Sequence, residues 1–338
     1  MKKIAILNTL SSGVDIFNVV SDKLNVSAII GLSSSVKKDG VSGYIDQESL
    51  CKESGVELIE IFDYSLSAAE DKEKLLGYDI DILLVAGWQR LIPDWLIDHC
   101  KICAVGVHGS PYGITEGRGR SPQNWALILG KEEFSLSIFE ITPGIDDGAI
   151  IKSCTFEISP FDTISSMQHK VARLTAKMFI DSVLDGAISS RHFAEQEGEA
   201  KYLPMRRPED GEIDWNLSSV AICDFIKALS HPYPGAYSYC GEIKTIFYAA
   251  VPFSCSEEYS CPAGTVIQIF TNADLLVKTG DGAVLVVDYI VSEAQLSALN
   301  TKVFSSANSA EQYKRIISRH KEKHPDLDLA SDILSLAK

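Results

Sequence analysis

"IDILLVAGWQRLIPDWLIDHCKICAVGVH", residues 80–108, holds two short apolar runs separated by an interval of helix length, and it reads as strand, helix, strand. Pro93 suits the first turn of that helix, where a missing N–H removes no hydrogen bond. The second run, "AVGVH", ends on His108. The same alternation reaches back to the N-terminus, where "KKIAIL", "VSAIIGL" and "VELIEI" are Ile-, Val- and Leu-rich runs with helix-sized intervals. The pattern predicts an α/β domain, Rossmann-like, with a mainly parallel sheet. Ligands of open α/β sheets bind beyond the carboxyl ends of the strands, so the loops after these runs are where chemistry is expected. The loop after the first run, "NTLSSGVD", lacks the G-x-G-x-x-G that lets a pyrophosphate approach the backbone, which argues against a dinucleotide-binding domain.

Composition narrows the class. The 338 residues are 46% apolar and 23% charged, as in an ordinary folded protein of one large or two medium domains. Asp and Glu outnumber Lys and Arg by 46 to 31, and the net charge of −15 repels nucleic acid on average. Nucleic acid is therefore a disfavoured partner, while a local basic site still suits a small phosphorylated ligand. No run approaches the roughly 18 apolar residues of a membrane span. "MKKIAILNTL" reads as a first strand rather than a signal, so no membrane association and a cytoplasmic location are expected. The eight cysteines are scattered and read as reduced thiols; Cys100 and Cys103 form a lone C-x-x-C, which without a second pair is structural, and no metal is expected.

Beyond His108, Ser121 and Pro122 read as N-cap and first residue of a helix carrying "QNWALILG", stopped by Gly130. "FSLSIFEIT" alternates as a strand does, "PGIDDGAI" turns, and "IIKSCTFEI" resumes. Ile164, Met167, Val171, Leu174, Met178 and Val183 recur at helical spacing, and Gly186 ends the run. The polar stretch 194–215 reads as a linker. It leads to a helix-like "SSVAICDFIKALS" and to strands joined at "NAD" and "GDG" turns. The expected domains are residues 1–198, a smaller β-rich, OB-like domain at 199–292, and a helical tail at 293–338 with no assigned role.

The Asp-Asp-Gly turn at 146–148 comes two expected elements after His108, and both lie at strand ends. If those strands are neighbours, His108 and Asp146 meet at one edge of the sheet. A carboxylate that orients an imidazole fixes its tautomer and makes it a general base.

The order of motifs extends this. "GVHGSPYGITEGRGRSPQNWALILG" followed by "ITPGIDDGAII" resembles the formyltransferases that use N10-formyltetrahydrofolate, whose pattern is N-x-H-x-S, R-G-x-x-P and then D-x-G-x-I. "GWQRLIP" resembles their folate-contacting segment. "RRPEDGEIDW" with "HPYPGAY" resembles the start of the C-terminal domain shared by methionyl-tRNA formyltransferases and nucleotide-sugar N-formyltransferases. The resemblance covers roughly residues 1–290. It implies His108 and Asp146 as catalytic residues, with Asp147 on a variable position. It implies a folate site made by Trp88, Gln89, Arg90, Leu91 and Ile92 with Thr142, Ile145 and Asp146, and an acceptor side shaped by Ser110, Tyr112, Arg118, Gly119 and Pro122. Where the family carries a catalytic Asn, this chain has Gly106. Losing such an oxyanion donor costs about 3 to 4 kcal/mol unless another replaces it; the candidates are a protonated His108, a backbone N–H in the 108–110 turn, and Asn124.

Two acceptors fit the resemblance, a charged initiator tRNA or a nucleotide-linked amino sugar. The negative net charge favours the sugar, with Arg206, Arg207 and Lys201 as cations and Trp215, Tyr233 and Tyr237 as aromatic surfaces. A dTDP- or UDP-linked 4-amino-4,6-dideoxy sugar is the expected substrate, in bacterial surface polysaccharide or O-antigen synthesis. A hydrolase of formyltetrahydrofolate and an inactive folate- or nucleotide-sugar-binding protein stay open, the latter because of Gly106. The resemblance is compatible with a homodimer.

Overall fold

The computed structural model describes residues 2–36, 41, 43–255 and 258–338. The chain forms two compact units that interleave along the sequence: Met1–Arg118, Glu133–Glu157 and Gln168–Ala200 make the first, and Gly119–Glu132, Ile158–Met167 and Lys201–Lys338 the second.

The first unit is built on a seven-stranded sheet. Strands β1 (Ile4–Leu7), β2 (Val26–Leu32), β3 (Glu57–Ile61), β4 (Ile82–Val85) and β5 (Cys103–Ser110) run parallel in the order β3-β2-β1-β4-β5. Strands Glu133–Glu140 and Ile150–Glu157 extend it antiparallel past β5. Strand side chains alternate between faces, so Ile6, Ile29 and Leu84 enter one core while Leu7, Ile30 and Leu83 enter another. With both faces covered, β1 and β4 are buried at every position, which is why they read as unbroken apolar runs. Strand order reverses between β1 and β4, and the carboxyl ends there open the crevice where such sheets bind ligands. Burial pushes the thiols of Cys100 and Cys103 up to about 12, so neither is a thiolate at neutral pH. Pro93 sits at the N-cap of helix Asp94–His99, one position before the expected first turn.

The second unit carries a five-stranded antiparallel sheet in the order Ala236–Cys240, Ile243–Phe253, Ala283–Ile290, Leu275–Lys278, Val266–Ile269. Its turns fall at Asn272 to Asp274 and at Gly280 to Gly282, where the sequence placed them. Helix Ser219–Leu229, capped by the Ser218 hydroxyl accepting from Ala221 N–H, lays Ile222, Phe225 and Ile226 into a core with Phe247, Val284 and Val286. The stretch read as a linker is partly core: Leu203, Asp210, Ile213 and Trp215 are all buried. Helix Ser309–Lys323 of the tail belongs to this unit, and its Arg319 pairs with Asp210 at 2.5 Å. No helix among the described residues is long and apolar enough to cross a membrane.

Candidate active site

His108 lies on β5, opposite Ser137 of strand Glu133–Glu140, and is 8% exposed. The connection from that strand to Ile150–Glu157 brings Asp146 to it: Nδ1 of His108 is 3.4 Å from Asp146 Oδ2. On the other side of the ring, Nε2 is 2.7 Å from the carbonyl oxygen of Gly117. A carbonyl only accepts, so Nε2 carries the proton. Nδ1 therefore faces the carboxylate, and the imidazolium is the form that donates to both neighbours. Gly117 reaches this position because it has no side chain; a Cβ there would lie 1.7 Å from Ser110 Oγ. Ser110 in turn donates to Gly113 O and accepts from Tyr112 N–H, folding the turn that delivers the Gly117 carbonyl. Ser110 is fully buried inside this turn.

Asp146 has φ +50°, a left-handed conformation that Asp tolerates better than most residues. Asp147 turns the other way and accepts from the Thr142 hydroxyl. Ile145 is half-buried in the same loop. Arg118 donates through Nη2 to Gln196 Oε1 at 2.7 Å, while its Nε is buried with no partner among the described residues. Tyr112 is half-buried beside this turn.

Gly106 stands directly across the ladder from Phe139. A Cβ at 106 would lie 2.7 Å from Phe139 Cζ and 3.0 Å from Ile141 Cγ1. The place for a side chain at 106 is thus filled by an aromatic ring from the neighbouring strand.

The segment after β4 is organised by Tyr64, a residue the sequence reading missed although it lies just past the carboxyl end of β3. The Trp88 ring meets Tyr64 edge-on at 4.5 Å, Gln89 N–H donates to the Tyr64 hydroxyl, and the Arg90 guanidinium sits 4.7 Å over the Tyr64 ring. Ile92 is buried, whereas Leu91 is 61% exposed. Trp88 Nε1 is buried without a partner among the described residues, and so are Asn8 Nδ2 and Thr9 Oγ1 at the end of β1. Thr9 N–H donates to Gly87 O, which sets these groups side by side where the strand order reverses.

Residues 2–183 match the sequence model of the formyl transferase family, and residues 206–304 that of the formyl transferase C-terminal domain. The chain belongs to the formyl transferase family. Among solved structures it is similar to HypX from Aquifex aeolicus in complex with tetrahydrofolic acid, at 16% identity and TM-score 0.60, over 97% of this chain and 48% of that one. It spans about half the length of that HypX chain. It is also similar to a methionyl-tRNA formyltransferase from Clostridium thermocellum (18% identity, 87% of this chain and 100% of that one, TM-score 0.54). A third similarity is to the N-formyltransferase from Helicobacter canadensis in complex with folinic acid and dTDP-3-aminofucose (14% identity, 86% and 100%, TM-score 0.57).

Other candidates of this formyl transferase lie in the second unit, three of them in packed surroundings. Asn124 is buried and its Nδ2 donates to Ala228 O at 2.7 Å, tying helix Pro122–Ile128 to helix Ser219–Leu229. Trp215 is fully buried, stacked on Phe304 and edge-on to Phe247, and offers no surface to a nucleotide base. Arg206 stacks over Trp125 at 5.0 Å and Phe225 at 5.3 Å and donates to Asp210 O; burial pulls its pKa below the usual guanidinium value. Arg207 is exposed and faces Glu209, Tyr233 is half-buried with its N–H on Ser230 O, and Gly119 turns the chain with φ +101°.

Proposed function

We propose that this formyl transferase moves a formyl group from N10-formyltetrahydrofolate to the amine of a nucleotide-linked amino-deoxysugar, a dTDP- or UDP-linked 4-amino-4,6-dideoxy sugar being the favoured acceptor. The observation that carries the reading is the facing pair His108 and Asp146 at the end of β5. The crevice suits a folate: the unpartnered Trp88 Nε1, Asn8 Nδ2 and Thr9 Oγ1 are buried polar groups that a heteroaromatic ring with its own donors and acceptors satisfies. Trp88, Gln89, Arg90 and Ile92, with the loop carrying Thr142, Ile145 and Asp146, would hold it. When bound, the folate supplies the formyl carbon.

The protein's part is proton handling. As the amine nitrogen bonds to that carbon it loses a proton, which the Nδ1–carboxylate pair takes up. The resulting imidazolium donates to Gly117 O and faces the Asp146 carboxylate 3.4 Å away, so the charge forms beside a counter-ion the protein already holds. The pair then returns the proton to the nitrogen that leaves, and the site is restored.

A net charge of −15 favours a sugar acceptor over tRNA, and such formamido sugars suit bacterial surface polysaccharide. Gly106 with Phe139 favours a second reading, a folate- or nucleotide-sugar-binding protein without turnover. The deciding experiment follows tetrahydrofolate release by absorbance with N10-formyltetrahydrofolate and a panel of dTDP- and UDP-amino sugars, beside charged initiator tRNA. Turnover with one sugar is expected; turnover on tRNA alone overturns the acceptor, and binding without turnover on any of them supports the second reading.

A further inference from the structure

Gln196 lies in a polar stretch that no motif touches, and it uses every hydrogen-bonding position of its amide. Nε2 donates to Asp146 O and to Gly148 O, both at 2.8 Å. Oε1 accepts from Arg118 Nη2 at 2.7 Å and from Thr115 Oγ1 at 3.2 Å. Two donors and two acceptor lone pairs are the whole capacity of the group. The orientation is also fixed, because a flipped amide would set its oxygen against two carbonyls and its NH2 against a guanidinium.

The backbone around Gln196 is anchored in turn. Ala194 exchanges two hydrogen bonds with Ile150, at 2.7 and 2.9 Å, and Arg191 pairs with Glu140. The segment is therefore stapled to the same two strands whose connection carries Asp146. Asp146 itself is in the left-handed region, and the Gln196 bonds to Asp146 O and Gly148 O hold the backbone on either side of it from outside the loop.

We propose that Gln196 is a positioning residue: its NH2 fixes the backbone that aims Asp146 at His108, and its carbonyl oxygen holds Arg118 in register with them. This rests on the formyl-transfer reading. Gln196→Glu and Gln196→Ala separate the two arms, since Glu keeps acceptor oxygens for Arg118 and Thr115 but has no donor for the two carbonyls. With N10-formyltetrahydrofolate and a dTDP-4-amino-4,6-dideoxy sugar as probes, kcat is expected to fall on the order of 10²-fold in both variants, the scale of a misplaced catalytic group. The sugar KM should rise about tenfold in Gln196→Ala alone, because only there does Arg118 lose its charge-assisted bond.

Hydrogen exchange of the full chain supplies a readout independent of turnover. Peptides covering residues 142–150 should exchange about tenfold faster in both variants, with those of β1 to β4 unchanged. A kcat within threefold of wild type in Gln196→Glu, or unchanged exchange at 142–150, overturns the proposal. A wild-type chain that turns over nothing defeats the formyl-transfer reading by itself, and the exchange result then still decides whether Gln196 holds the loop.

Discussion

Two of this molecule's charged clusters are held in opposite ways. Around His108 the ionic partners come from loops at strand ends, and the Asp146 carboxylate keeps 22% of its side chain open. Around Arg206 they come from inside the second unit. Asp210 is closed over by Arg319 of the tail helix, and Arg206 stacks between Trp125 and Phe225. The first arrangement leaves polar atoms able to meet a ligand. The second stacks its guanidinium between rings and, among the described residues, bonds it through Nη2 alone. Sequence alone made both look like sites, and the difference lies in whether strand ends or helix faces supply the neighbours.

Four measurements break or sharpen that contrast. The largest effect belongs to His108→Asn, expected to lower turnover by about 10³-fold or more, roughly 4 kcal/mol of barrier, with folate affinity within about threefold; retained turnover would remove His108 from the chemistry. Arg319→Ala should strip a buried carboxylate of its ion-pair partner, leaving it the Arg207 N–H, and destabilise the chain by about 3 kcal/mol in urea unfolding, while kcat measured well below melting stays unchanged. A fall in kcat there would make the second cluster part of the site after all. Gly106→Asn should destabilise by about 2 kcal/mol through collision with Phe139. Combined with Phe139→Ala, the loss should be smaller than the sum of the two single changes, and strict additivity would mean the ring is not the obstacle.

The smallest effect is one of pH. Burial, and then the neighbouring His324, depress the pKa of His320, so the folded chain prefers its neutral form. The unfolded chain protonates that ring near pH 6.5, within about a unit, and stability present above that value is lost as pH falls toward the folded pKa. The melting temperature of wild type should therefore drop further than that of His320→Gln between pH 7.5 and 5.5; equal drops would show that this face of the tail helix is not closed.

Much of the first unit was legible because its signals are local. Apolar runs of strand length gave β1 to β5, and the hairpin around the Asp-Asp-Gly turn let His108 meet Asp146 once Glu133–Glu140 paired with β5. The surroundings the sequence did not show share a cause. Trp215, Arg206 and Asn124 sit in turn-rich or loop-flanked sequence with no periodicity to report which face they show. Their burial is decided by the helix Ser219–Leu229 and by a tail some hundred residues away. Gln196 and Tyr64 were invisible for the converse reason: each makes its contacts to backbone or to rings distant in the sequence, and neither lies in a motif.

The pairing of Gly106 with Phe139 also bears on how this site can change over generations. An amide at 106 needs the ring to shift, and removing the ring alone opens a hole between two strands of the sheet. Each single replacement leads through a less stable protein. A lineage that holds this glycine and this phenylalanine has no downhill single step to an asparagine here, so improved turnover would be selected more readily in groups that approach His108 from other loops than in β5 itself.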